Sequence, residues 1–176
     1  MTIHQIQLRY EPMADRLLLS VRTRADELYT AWLTRRMVAR LGAPLRQAVA
    51  RLGLPRTGAA ALAVPEAQQM LEQVARERPL KDTDFAQAFA GAEGASHPLG
   101  PEPLLPGEID VQSPPAGGLV IALRELRGRR LDLTLNDDLA TALLRLLERA
   151  VEQAEWALPG PPPAADAAAP DPQRLN

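Results

Sequence analysis

Cysteine is absent from the 176 residues, which excludes disulfides, thiolate metal sites, cysteine nucleophiles and iron–sulfur ligation together. Histidine is scarce, and His4 and His97 lie far apart, so a histidine-rich metal centre is excluded as well. Aromatics make up only 3% of the chain, too few for the stacking platforms that grip single-stranded nucleic acid. No apolar run reaches the ~18 residues of a membrane span. The first residues alternate polar with apolar, where a secretory leader would be basic and then apolar. No glycine-rich phosphate loop, GxSxG or HExxH motif occurs. Together these absences predict a soluble cytoplasmic protein with no metal, no cofactor and no small-molecule substrate. Lysine is nearly missing too: Lys81 stands alone among 20 basic residues, the rest being Arg. With abundant Ala, Leu and Pro, that is the bias expected of a GC-rich bacterial genome.

What is present is 46% hydrophobic and 24% charged, ordinary for a globular chain. A net charge of −2 hides an asymmetry. Residues 1–56 hold ten Arg against Glu11, Asp15, Asp26 and Glu27, and the acidic excess falls in the remainder. A basic first part points to an anionic partner, or to attraction between the two parts.

Periodicity divides the chain. Residues 2–10 alternate, with His4, Ile6, Leu8 and Tyr10 on one face, which predicts a half-buried strand with His4 in the core. Pro12 breaks it, and Leu17, Leu19 and Val21 mark a return strand. Thr34 reads as a helix cap, and Met37, Val38, Leu41, Leu45, Ala48, Val49 and Leu52 fall within roughly 120° of a helical wheel. Pro44 predicts a kink or a break in that helix. A Gly/Ala linker follows over 53–64. Pro65 opens a helix with Ala67, Met70, Leu71 and Val74 as its apolar stripe, and a second short helix over 83–90 would bury Phe85 and Phe89. Residues 91–107 read as a Gly/Pro-rich loop. Strands resume at Ile109 and Val111, then over 119–126 and 131–135, and Asn136 caps a long helix running to about Leu158. Pro, Ala and Asp dominate residues 159–176, a composition that predicts a disordered tail.

Sliding the chain by 102 residues aligns its two parts without a gap. Val21 meets Leu123, Tyr29 meets Leu131, Leu33 meets Leu135, and cap Thr34 meets cap Asn136. The match predicts that 28–33, ambiguous alone, form a strand. The fold class is therefore α+β: one domain over 1–158, made of two pseudo-repeated strand–strand–helix units (1–52 and 108–158). They enclose a linker and helical pair at 53–107 and form antiparallel sheets or a sandwich. In order of elements the chain loosely looks like the head domains of eukaryotic DNA end-joining and centriole scaffold proteins, a likeness of topology alone.

Charge does not follow the repeat. Arg35 and Arg36 stand where the second unit has Asp137 and Asp138, and Arg46 where it has Glu148. Carboxylates stabilise a helix start and guanidinium groups do not. The face carrying Arg35, Arg36, Arg40, Arg46 and Arg51 is therefore the candidate surface for phosphates or another anion. Enzymatic candidates are poorer. Glu108 and Asp110 share a face of one strand but belong to no acid–base constellation, and no hydroxyl has a recognisable base beside it. The last helix is apolar on more than half its circumference, so either the core wraps it or a partner chain covers it. Leu144, Val151, Trp156 and Leu158 are the candidate protein interface. The sequence thus predicts a non-enzymatic interaction protein, a small subunit or adaptor with a protein partner or a second copy of itself. The competing expectation is a nucleic-acid binder working through the Arg face.

Overall fold

The computed structural model describes residues 2–52, 67, 69–71, 73, 74, 89–114, 118–126 and 128–158. Its class is α+β, with two three-stranded antiparallel sheets and helices. The first sheet has the order β1-β2-β3, from Ile3–Glu11, Arg16–Thr23 and Leu28–Leu33. The second has the order β4-β5-β6, from Glu108–Gln112, Leu119–Arg124 and Arg130–Leu135. Helix α1 (Arg35–Leu52) follows the first sheet and helix α2 (Asp137–Gln153) the second. Among the described residues, no helix is long and apolar enough to cross a membrane.

Alternation places one face of each sheet in a shared core. Leu8–Leu19–Ala31 and Tyr10–Leu17–Leu33 line up across the first sheet, and Ile109–Leu123–Leu131 and Val111–Ile121–Leu133 across the second. Leu17, Leu33, Leu119, Ile121, Leu133 and Leu135 are all but sealed from solvent. Each leucine so buried contributes about 2 kcal/mol. Leu17 opposite Leu33, Leu19 opposite Ala31 and Val21 opposite Tyr29 correspond, 102 residues on, to Leu119 opposite Leu135, Ile121 opposite Leu133 and Leu123 opposite Leu131. Residues 28–33 are thus a strand, as the offset predicted.

Both helix starts carry the expected caps. Thr34 Oγ1 accepts from Met37 N at 3.4 Å, and Asn136 Oδ1 accepts from Leu139 N at 2.8 Å. The helices pack against each other and reach across the fold: α1 lies against β4, and α2 against β1. Gly118 enters β5 with φ +78, and a Cβ there would sit 2.6 Å from the Leu135 carbonyl oxygen, so only glycine fits.

Several expectations are corrected. His4 is exposed, because the register slips between Ile3 and Gln5 and the extra residue leaves the alternation. α1 is a single helix through Pro44 and not two short ones. α2 stops at Gln153, short of Leu158. Ala154 caps it, Glu155 takes a left-handed φ of 52, and the chain turns so that Trp156 can dock. Residues 91–107, read as loop, in part line a sheet edge. Leu28 N donates to Ser96 O at 2.8 Å, Leu104 N to Thr30 O at 2.9 Å, and Trp32 N to Leu104 O at 2.7 Å. Pro98, Pro101, Pro103 and Pro106 deprive this stretch of donors and of any strand-like period, so its pairing had no sequence signature. Leu104 is nevertheless fully buried. Of the predicted helix after Pro65, the described residues are helical, but Met70 and Val74 are exposed and form no buried stripe. Phe85 lies outside the described residues, as does most of the second short helix, and Phe89 is not helical.

Candidate interaction surfaces

The five arginines of α1 do not behave as one group. Arg35 is engaged: its Nη2 donates to the Ala157 carbonyl oxygen at 2.6 Å, tying the start of α1 to the chain beyond α2. Arg46 is half-buried and folds back over Gly42, where a Cβ would meet its Nη1 at 3.4 Å. Arg36, Arg40 and Arg51 are exposed and have no carboxylate partner among the described residues. Arg35 is nevertheless exposed, so four of the five guanidinium groups reach solvent.

The apolar candidates mostly face inward. Leu144 is fully buried, and five consecutive residues of α2, from Ala140 to Leu144, are buried around its circumference. The core wraps this helix, with α1 and β1 as its neighbours. Trp156 is buried as well. Its Nε1 donates to Asp15 Oδ1 at 2.8 Å, its ring meets Tyr10 edge-on with centroids 6.0 Å apart, and Tyr10 OH donates to the same Asp15 oxygen at 3.0 Å. Leu144 and Trp156 thus have no surface left for a partner. Val151 and Leu158 are half-buried and pack on the same core.

Other charged groups act as staples. Glu125 and Arg129 form a two-point pair across the β5–β6 turn, with Nε to Oε2 at 2.7 Å and Nη2 to Oε1 at 2.8 Å. Arg129 Nη1 also donates to the carbonyls of Leu99 and Glu102, at 3.2 and 3.0 Å. The bond to Glu125 raises the Arg129 pKa further above its ordinary value. Arg22 does the same for the preceding stretch, donating to Ala90 O at 3.0 Å and Gly91 O at 3.1 Å while pairing with Asp26. The Asp15 bond raises the Tyr10 pKa, with desolvation and the Asp15 charge adding to it. The Tyr29 hydroxyl is raised chiefly by desolvation and then by the charge of Glu27, to which it donates. None of these contacts was read from the sequence. Glu125 and Arg129 are four apart around a turn, a legible spacing, but Asp15 and Trp156 are separated by most of the chain.

The chemical candidates are equally occupied. Glu108 accepts from Arg124 at 3.4 Å and Asp110 from Gln112 Nε2 at 2.8 Å. Asp137 and Asp138 sit in the first turn of α2, as helix-start carboxylates do. His97 Nδ1 is buried without a hydrogen-bond partner among the described residues. Among those residues no group of His, Asp and Glu could hold a metal ion. One feature of the backbone is open instead: β6 pairs with β5 on one side and, among the described residues, with no strand on the other.

No protein-family model, no curated protein and no solved structure matches this chain. The topological likeness to scaffold-protein head domains therefore carries no argument, and the reading of function rests on the residues themselves.

Proposed function

We propose that this chain is a non-enzymatic interaction protein, a small subunit or adaptor that works by binding another protein chain. The observation that carries this reading is the β6 edge, a regular row of backbone donors and acceptors without a partner strand among the described residues. Strand addition to such an edge is a general mode of protein recognition. Its polar face, made by Arg130, Asp132 and Thr134, is exposed, while Leu131, Leu133 and Leu135 anchor the strand in the core. The matching strand registers support a finer reading, in which the chain is a pseudo-repeated strand–strand–helix unit with its antiparallel sheets in a sandwich. A photo-crosslinking residue at Thr134, used in the native cell, tests the interaction reading. A discrete product from Thr134, absent when the crosslinker sits on the opposite outer strand at Gln112, is expected. Equal labelling from both positions would refute it.

Arg36, Arg40 and Arg51, exposed and without a carboxylate partner among the described residues, favour a second reading, nucleic-acid binding along α1. Fluorescence anisotropy with labelled single- and double-stranded DNA and RNA separates the two. Nucleic-acid binding requires affinity that falls steeply with salt. Changing all three arginines to Gln would then shrink the slope of log K against log salt by up to about three units. On the protein-interaction reading no binding occurs even at about 50 mM salt.

A further inference from the structure

Each sheet has two outer strands. Among the described residues the 96–104 stretch hydrogen-bonds to β3 through Ser96 and Leu104, and no strand pairs with the outer side of β1, β4 or β6. β1 carries a bulge and the charges of β4 are all acidic, whereas β6 has neither feature. The turn before it settles which of its groups face outward. Glu125 N donates to Arg129 O at 2.9 Å, and bonded pairs alternate from there, so Leu131, Leu133 and Leu135 bond to β5. The amides and carbonyls of Arg130, Asp132 and Thr134 therefore point away from the sheet. Natural edges are blunted by proline, by bulges or by charged side chains. β6 has no proline and no bulge, and its two charged side chains, Arg130 and Asp132, are of opposite sign and lie on the solvent face.

We propose that β6 pairs antiparallel with β6 of a second copy of this chain, joining their three-stranded sheets across a two-fold axis. The inference rests on the interaction reading above and names its partner. Self-complementarity of charge selects a second copy. Arg130 and Asp132 share the solvent face two positions apart, with Nε and Oδ2 2.7 Å from each other. When Leu131 stands opposite its own equivalent, each Arg130 stands opposite the other copy's Asp132. The outward backbone groups of those two residues then form the bonded pairs. Sliding by two residues in either direction sets Asp132 against Asp132 or Arg130 against Arg130. Like charges directly opposite are unfavourable, so the register centred on Leu131 is favoured over both slides. This is an isologous contact, and it closes at two copies.

Sedimentation velocity of the full chain across a concentration range tests the proposal, with three variants. Arg130→Asp and Asp132→Arg each place like charges across the axis and are expected to weaken self-association at least about tenfold. Mixed in equal amounts, they restore opposite charges at every pair and are expected to associate as the wild type does. Asp132→Pro removes an outward amide that β5 does not use, and is expected to abolish association. Unchanged circular dichroism and melting temperature accompany the two charge variants, because both side chains are exposed. A wild-type chain that stays monomeric throughout, a dimer indifferent to both reversals, or a mixture that fails to recover would overturn the pairing. If the purified chain is monomeric while Thr134 crosslinks to a different protein in cells, the second copy is refuted and the interaction reading stands.

Discussion

Removing the Asp15 carboxylate tests whether the chain beyond α2 is held by chemistry or merely by proximity. One oxygen of Asp15 accepts from Trp156 Nε1 at 2.8 Å and from Tyr10 OH at 3.0 Å, joining the β1–β2 turn to residues that follow the last helix. Trp156 is buried, so Asp15→Ala leaves its indole N–H without the charged acceptor, a loss of about 1–1.5 kcal/mol for a bond whose acceptor is exposed. Asp15 also has a φ of 46, which a short polar side chain tolerates better than Ala does. That adds roughly 1 kcal/mol. The sum is about 2 kcal/mol, or a melting temperature lower by about 4–8 °C in a domain of this size. Asp15→Asn keeps both the acceptor oxygen and the backbone preference, so it is expected within about 1 kcal/mol of the wild type. Guanidinium unfolding followed by tryptophan fluorescence measures both, with the midpoint moving and the slope constant. In a double-mutant cycle, Asp15→Ala and Trp156→Phe should couple by about 1 kcal/mol. If Asp15→Ala lies within about 0.5 kcal/mol of the wild type, or Asn harms as much as Ala, the clamp does not operate.

Gly118→Ala is expected to destabilise by about 2–4 kcal/mol, from the left-handed backbone and the forced approach to the Leu135 carbonyl; thermal melting checks it. The two tyrosines should both titrate above the ordinary phenol value of 10.0, and Asp15→Ala should return Tyr10 toward it; phenolate absorbance against pH is the readout. A pKa raised on folding means stability that is intact below pH 10 and lost as the pH climbs through the folded value, so denaturant midpoints should fall on the alkaline side. A chain ending at Leu158 is expected to melt within about 2 °C of the full chain, because the composition of 159–176 cannot offset the entropy of ordering it. A larger drop would mean that those residues dock.

The strands and the two helix starts were legible because their determinants are local. Period-two alternation in Leu17–Leu19–Val21 and Leu131–Leu133–Leu135, and hydroxyl or amide caps at Thr34 and Asn136, act within a few residues. The 102-residue offset carried the clear pattern of the second unit onto the unclear residues 28–33. What the sequence could not determine was who meets whom. An apolar α2 is equally consistent with a wrapped core and with a docked partner; only packing against α1 and β1 decided that Leu144 is core. Trp156 looked like an anchor for another chain and became an anchor for its own, because its polar partner lies 141 residues away. A single extra residue in β1 turned His4 outward, an effect invisible to a strict period of two. The covering of β3 and the open edge of β6 also belong to tertiary structure. Backbone donors and acceptors are the same in every sequence, and which of them lack a partner depends on where distant segments come to rest.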